Sequence, residues 1–182
     1  MATATRTYLR MASPDALRPS RTVPNARMEP LVPCPAARYR ELYRAVGGDW
    51  HWHDRDAWPD ERLATHLAQS SVSVDVFTVD GETAGYVELQ QHEAGDVEIA
   101  YFGLLPQWIG KGLGGAMLTA ATEAAWRLSA TSVWLHTCTL DHPSALANYR
   151  ARGFEPFKVE QYEAPASPRR RARLETGTIP DL

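Results

Sequence analysis

Apolar and polar positions change period along the chain, and the changes mark out its elements. From Ser73 the period is two: Val74, Val76 and Thr78 alternate with Asp75, Phe77 and Val79, as in a strand. Asp80-Gly81 then reads as a hairpin turn, Gly85 to Gln91 as the returning strand, Gly95-Asp96 as a second turn and Val97 to Leu105 as a third strand. Together they predict an antiparallel meander. Elsewhere the period is helical. Tyr39, Leu42, Tyr43 and Val46 share a face over Ala36 to Val46, and Gly47-Gly48 stops that helix. Pro59 opens a second helix through Gln69. A third helix is expected from Ile109 to Leu128, followed by a buried strand from Ser132 to Leu140. Strand, helix and strand at this spacing imply a parallel pair with a crossover helix. Pro143 opens a last short helix that Gly153 ends, and Phe154 to Ala164 forms a final strand.

At the N-terminal end, Thr7 to Met11 reads as an opening strand, and the proline-dotted run from Pro14 to Pro35 as a long surface loop. The predicted fold is therefore α+β: a mixed sheet, mostly antiparallel with one parallel strand pair, flanked by helices. Residues 1–163 are expected to form one domain, and the proline-rich, basic 164–182 a mobile C-terminal tail.

Composition narrows the partners. A chain of 182 residues with 44% hydrophobic and 23% charged positions suits a single globular domain. The net charge of −3 gives no bulk attraction to nucleic acid, and the RRRAR run in the tail is a local patch without aromatic platforms. No apolar run reaches the roughly 20 residues of a membrane span. The first residues, MATATRTYLRM, lack the apolar stretch of a signal peptide, and TYLRM suits a strand better than a transit peptide. Cys34 and Cys138 fit no disulfide or metal framework, so reduced thiols and a cytoplasmic setting are expected. His51-x-His53 lacks a third ligand, so no metal is expected.

The candidate chemistry lies in Gln107 to Gly115, QWIGKGLGG, between the meander and the third helix. Glycines at helix positions cost about 1 kcal/mol each relative to alanine, so four of them near a helix start imply that bare backbone is needed there. A helix N-terminus offers unpaired N–H groups and a partial positive charge, and phosphate is its usual ligand. The P-loop pattern fails, because Leu105 stands where its first glycine belongs and Gly112 follows Lys111. Gly110, Gly112 and Gly115 formally match the dinucleotide fingerprint. That motif follows a buried parallel strand, however, whereas this one follows a meander strand carrying Glu98.

Gln107-Trp108-Ile109-Gly110-Lys111-Gly112 resembles the Gln/Arg-x-x-Gly-x-Gly/Ala signature of the GNAT acyltransferase superfamily. The run HPSALANYRARGFEPF is similar to that family's ending, with Asp141 where asparagine is common. The resemblance covers residues 6–163 in element order. It implies an N-acetyltransferase that moves an acetyl group from acetyl-CoA directly to a primary amine of a small molecule. It further implies that the pyrophosphate is cradled by Gln107, Trp108, Ile109, Gly110, Lys111, Gly112, Leu113, Gly114 and Gly115, with Lys111 either on phosphate or solvated. Leu104, Asp141 and Tyr149 complete the implied cofactor contacts, with the N–H of Leu104 or its neighbour as the oxyanion donor. A bulge, expected at Gly103, would part the two parallel strands for the pantetheine arm.

Glu98 resembles the family's strand glutamate and is the leading base, with Glu88 the second candidate and His92 the third; Tyr149 is the leading acid. Cys138 reads as a buried strand cysteine rather than a nucleophile. By the same resemblance Trp50, His51, Trp52, His53 and Arg55 flank the acceptor, and Glu88 is counted with that wall. Aromatic rings suit a cationic or apolar amine, and an arginine suits a carboxylate. Only one strand follows the last helix, so the family's final hairpin is expected to be truncated or supplied by a partner, which allows a homodimer. Two other readings share the fold: a protein or peptide N-acetyltransferase, and a non-catalytic acyl-CoA sensor.

Overall fold

The computed structural model describes residues 2–164. The expected tail, apart from Ala164, lies outside the described residues. In chain order the elements are β1 (Ala2–Met11), β2 (Ala26–Pro30), α1 (Ala36–Gly47), α2 (Asp60–Leu67), β3 (Val72–Val79), β4 (Glu82–Gln91), β5 (Val97–Leu104), α3 (Gly114–Arg127), β6 (Val133–Cys138), α4 (Ala145–Ala151) and β7 (Glu155–Ala164). The strands form one sheet in the order β2-β3-β4-β5-β6-β1-β7. Every pairing is antiparallel except β5 with β6. The mixed sheet with a single parallel pair is the α+β class that the hydrophobic pattern predicts.

The meander is sandwiched, and its alternation shows why. Tyr86 and Glu88 of β4 face one way, with Val74 and Val76 of β3 beside them. Tyr39, Leu42, Tyr43 and Val46 of α1 and Leu63 of α2 pack on that side. Val87 and Leu89 face the other way, against Leu118, Ala121, Ala124 and Ala125 of α3. A strand buried on both faces cannot show a clean polar alternation.

The N-terminal region departs from expectation in two ways. β1 is twice the length foreseen, because its polar first half, ATATR, is held in the sheet by pairing with β7, while β6 pairs only from Arg6 onward. It thereby occupies the slot beside β6, and β7 closes the sheet by pairing with β1 rather than with a hairpin partner. The connector expected as loop contains β2, paired with β3 from Ala26↔Val79 to Pro30↔Asp75. As an edge strand it tolerates Pro30, which lacks an N–H, and its signal was hidden by that residue.

Candidate active site

β5 and β6 stay together for only two pairs, Val97↔Val133 and Glu98↔Trp134. The cause lies on the other edge of β5. Glu88 opposes Tyr101 but Leu89 opposes Ile99, so Ala100 is an extra residue in the ladder. Such a bulge bends and twists its strand. It falls at Ala100 rather than at Gly103. Gly103 has another role: a Cβ there would run into Val46 of α1. Beyond the bulge β6 continues along β1 instead, from Met11↔Val133 to Arg6↔Cys138. The gap widens into a cleft of about 910 Å³.

Glu98 stands where the strands begin to part. It lines the cleft, and its side chain retains 14% exposure. His92 Nε2–H donates to its carboxylate at 3.2 Å. The His92 ring lies against Trp134, whose Nε1–H donates to Asp96 at 2.5 Å. Burial pushes the Glu98 carboxyl above its ordinary value, opposed by the His92 contact. Gln90, opposite Glu98 across the ladder, also faces the cleft.

At the far end of β5 the chain turns through Pro106–Trp108 before the glycines. Gly110 and Gly112 have φ of +81° and +74°. Those values cannot continue a helix, so α3 starts at Gly114 rather than at Ile109. No side chain caps α3, which leaves the N–H groups of its first turn free for a ligand. A Cβ on Gly110 would meet nothing within 4 Å. Ile109, Gly110, Gly112, Leu113, Gly114 and Gly115 line the cleft. This open backbone with an uncapped helix end suits a bound phosphate or diphosphate. Gln107, Trp108 and Lys111 are not on the cleft wall: the first two form the preceding turn, and the Lys111 ammonium lies 4.6 Å over the Trp108 ring. Leu104 lines the cleft, and the N–H of Leu105 donates to Ala84 on β4 at 2.8 Å. Successive N–H groups of a strand alternate in direction, so that of Leu104 points to the side from which β6 has withdrawn.

Across the cleft α4 presents Tyr149. It is 8% exposed, with its ring edge-on to Phe102 and Phe154 at 6.2 and 6.5 Å. Its hydroxyl makes no hydrogen bond among the described residues. Burial, aided by the Asp141 charge, pushes the phenol upward, so it is protonated throughout the working range. Asn148 of the same helix donates to Gly114 O at 3.1 Å and ties α4 to the loop.

The connector between α1 and α2 forms the remaining wall. Trp50, His51, Trp52, His53 and Arg55 all line the cleft. Trp52 packs on Tyr101 at 5.1 Å, and Trp50 on His142 at 5.0 Å. No group of three metal-ligating side chains occurs among the described residues. Glu88, in contrast, is not on this wall. It is fully buried, at 0% exposure, and holds Arg55 Nη2–H at 2.7 Å, His66 Nε2–H at 2.8 Å and the Tyr39 hydroxyl. Its strand position faces α1 and α2 rather than the gap, and of its three partners only Arg55 lines the cleft. Arg6, His136 and Tyr162 line the cleft without having been anticipated. They share the face of Glu98 across β6, β1 and β7, a juxtaposition that depends on where β1 inserts. The His136 side chain stays open to solvent, yet desolvation by the surrounding cleft wall and the Arg6 charge hold its imidazole below the ordinary value.

A family model described as the Acetyltransferase (GNAT) family matches residues 39–154, which include the bulge, Glu98, the glycine loop and Tyr149. The chain belongs to the GNAT acetyltransferase family. Among solved structures it is similar to a GCN5-related N-acetyltransferase from Kribbella flavida, with 20% identity over 90% of this chain and 59% of that one, TM-score 0.63. One from Sphaerobacter thermophilus gives 18% identity over 88% and 51%, TM-score 0.64. An aminoglycoside acetyltransferase from an uncultured soil metagenomic sample gives 17% over 70% and 87%, TM-score 0.56. At these identities the likeness is one of fold. The chain spans 59% and 51% of the lengths of the first two. No curated protein matches it in sequence. Among the described residues no helix is long and apolar enough to cross a membrane.

Asp141, which stands where GNAT proteins commonly carry asparagine, is engaged by its own turn. Its Oδ2 accepts from Thr137 Oγ1 at 2.7 Å and from the Cys138 N–H at 2.8 Å. Thr137 is buried. Asp141→Ala should therefore lose about 1–3 kcal/mol, the cost of leaving buried donors unsatisfied. Asp141→Asn, whose side-chain carbonyl can accept both bonds, should stay within about 0.5 kcal/mol of the parent, in the range of neutral substitutions. Urea denaturation of the two variants checks this.

Proposed function

We propose that this GNAT protein transfers an acetyl group from acetyl-CoA to a primary amine of a small molecule, by direct attack in a ternary complex. The observation that carries the reading is the juxtaposition of three features along one gap. A half-buried carboxylate stands at its apex, a free phenol on its wall, and bare glycine backbone at its mouth. Acetyl-CoA supplies the activated acetyl thioester. Glu98 takes the proton that the acceptor ammonium must lose, through water if the amine stands off, and His92 steadies the carboxylate. The Leu104 N–H faces the developing oxyanion. Tyr149 donates its hydroxyl hydrogen to the departing sulfur. An unoccupied edge of β5 offers pairing for the pantetheine amides, as an added strand would.

On the acceptor side Arg55 is already paired with Glu88, which weakens it as a carboxylate ligand. Asp54, also on the cleft wall, makes no ion pair among the described residues. Aromatic rings with an unpaired acid suit a cationic amine. The similar aminoglycoside acetyltransferase is named for a small amine-bearing substrate, which supports a small acceptor.

The test is thiol release from acetyl-CoA against a panel of mono- and polyamines. Turnover with a soluble amine is expected. Binding of acetyl-CoA without turnover on any amine would leave the sensor reading instead. In the active system Tyr149→Phe should lower kcat by about 10–100-fold, the worth of one hydrogen bond to a charged group, with little change in KM for the amine. An unchanged kcat would remove Tyr149 from the mechanism.

A further inference from the structure

We propose that Arg21 and Arg152 form an anion clamp beside the glycine loop that takes the 3′-phosphate of CoA, so that the protein selects CoA over its 3′-dephospho form. The proposal rests on the acyl-CoA reading above and adds residues that lie outside the loop motif.

The glycines of the loop are bare for two different reasons. Gly110 faces open space. Gly112 and Gly115 do not. A Cβ on Gly112 would lie 2.9 Å from Arg21 Nη2, and one on Gly115 would lie 2.7 Å from both Arg152 Nη1 and Ser20 Oγ. Two guanidinium groups therefore rest directly on the loop backbone, at glycines three residues apart. They arrive from distant parts of the chain, Arg21 from the connector after β1 and Arg152 from the end of α4.

That convergence is fixed by a relay of hydrogen bonds. Arg18 N–H donates to Arg152 O at 3.0 Å. Ser20 N–H donates to Thr119 Oγ1 at 3.0 Å, and the Thr119 hydroxyl donates to Gly115 O at 2.9 Å. The connector is thus strapped across the first turn of α3, with Arg21 next in line.

The charges there are uncompensated. Arg6, Arg38, Arg40, Arg44 and Arg55 each pair with a carboxylate. Among the described residues neither Arg21 nor Arg152 does, and Arg152 Nε is buried with no hydrogen-bond partner. Two cations beside the positive end of a helix repel one another and the helix. An anion relieves all three, and a doubly charged phosphate monoester matches two guanidinium forks. CoA carries a pyrophosphate and, apart from it, a 3′-phosphate monoester. The loop N–H groups inside the cleft suit the pyrophosphate, whereas Arg21 and Arg152 are not on the cleft wall. They are placed for the group that remains outside it.

The experiment is isothermal titration of the full chain with CoA and with 3′-dephospho-CoA, for the parent and for R21Q, R152Q and the double variant. The parent should bind CoA at least tenfold more tightly. The double variant should lose that preference, each single variant part of it, with the CoA dissociation constant rising toward the dephospho value. Equal binding of the two ligands by the parent, a comparison that needs no variant to fold, would overturn the clamp while leaving the acyl-CoA reading intact. So would a preference that survives both substitutions. Binding of neither ligand would overturn the acyl-CoA reading and the clamp with it.

Discussion

Replacing Glu98 with glutamine is expected to cut kcat by about 10²–10⁴-fold, the usual contribution of a positioned general base, while acetyl-CoA still binds. Glutamine keeps the size and the hydrogen-bonding reach of the side chain but cannot take a proton. Glu98 is the carboxylate at the point where β5 and β6 separate, half-screened from water and lining the cleft. The groups that act on it are His92, which lowers its pKa, the distant Glu88, which raises it, and Arg55, which lowers it; burial outweighs them and the net shift is upward from 4.5. A base works in its ionised form. Activity should therefore rise with pH through a limb lying above the ordinary carboxylate range, and the limb should vanish in Glu98→Gln. The acceptor amine has its own deprotonation at higher pH, which remains. Removing the donor with His92→Ala should move the acidic limb further up. A Glu98→Gln enzyme within twofold of the parent, with the acidic limb retained, would mean that another group takes the proton.

Much of this site was legible in the sequence because it is local. The run from Val97 to Gly115 carries the candidate base and the glycine loop on one strand and the turn that follows it; period two and clustered glycines indicate the strand and the loop, and the family resemblance singles out Glu98 and the gap. The helix faces were equally local: the four residues spaced for burial on α1 are all buried. What was hidden depends on pairing between distant segments. The bulge expected from the family resemblance at Gly103 falls at Ala100, because a classic bulge needs no glycine. The polar first half of β1 has no strand pattern of its own and is held by the distant β7. Glu88 looked available because strand alternation cannot say which face is covered by a helix. Arg21 lay in a stretch read only as loop, and nothing near it in sequence indicates the glycine it covers.

Glu88 should prove a stability residue of the first rank. Glu88→Gln is expected to cost about 3–5 kcal/mol, the usual penalty for removing one partner of a buried ion pair. The carboxylate has no exposure, and Arg55, with 11% side-chain exposure, would be left charged and without its counter-ion. The Arg55 guanidinium also lies 4.1 Å over the Trp58 ring and 5.1 Å over Tyr101. Misplacing it would loosen the acceptor wall as well. Burial alone would raise the Glu88 pKa, but His66, Arg55 and Tyr39 together bring it below 4.5. A carboxylate whose folded pKa is depressed stabilises the fold fully above its unfolded value. That stabilisation is lost as pH falls through the folded value. The parent's melting temperature should thus drop below about pH 4.5, the unfolded reference, with a component that Glu88→Gln lacks. The decisive comparison is a double-mutant cycle in urea. Replacing both partners, as Glu88→Met with Arg55→Met, removes the unpaired charge and should recover part of the loss, because a buried pair is worth little against apolar residues of similar volume. If the double variant is as unstable as the sum of the singles, the pair is not coupled, and Glu88 acts through His66 and Tyr39 instead.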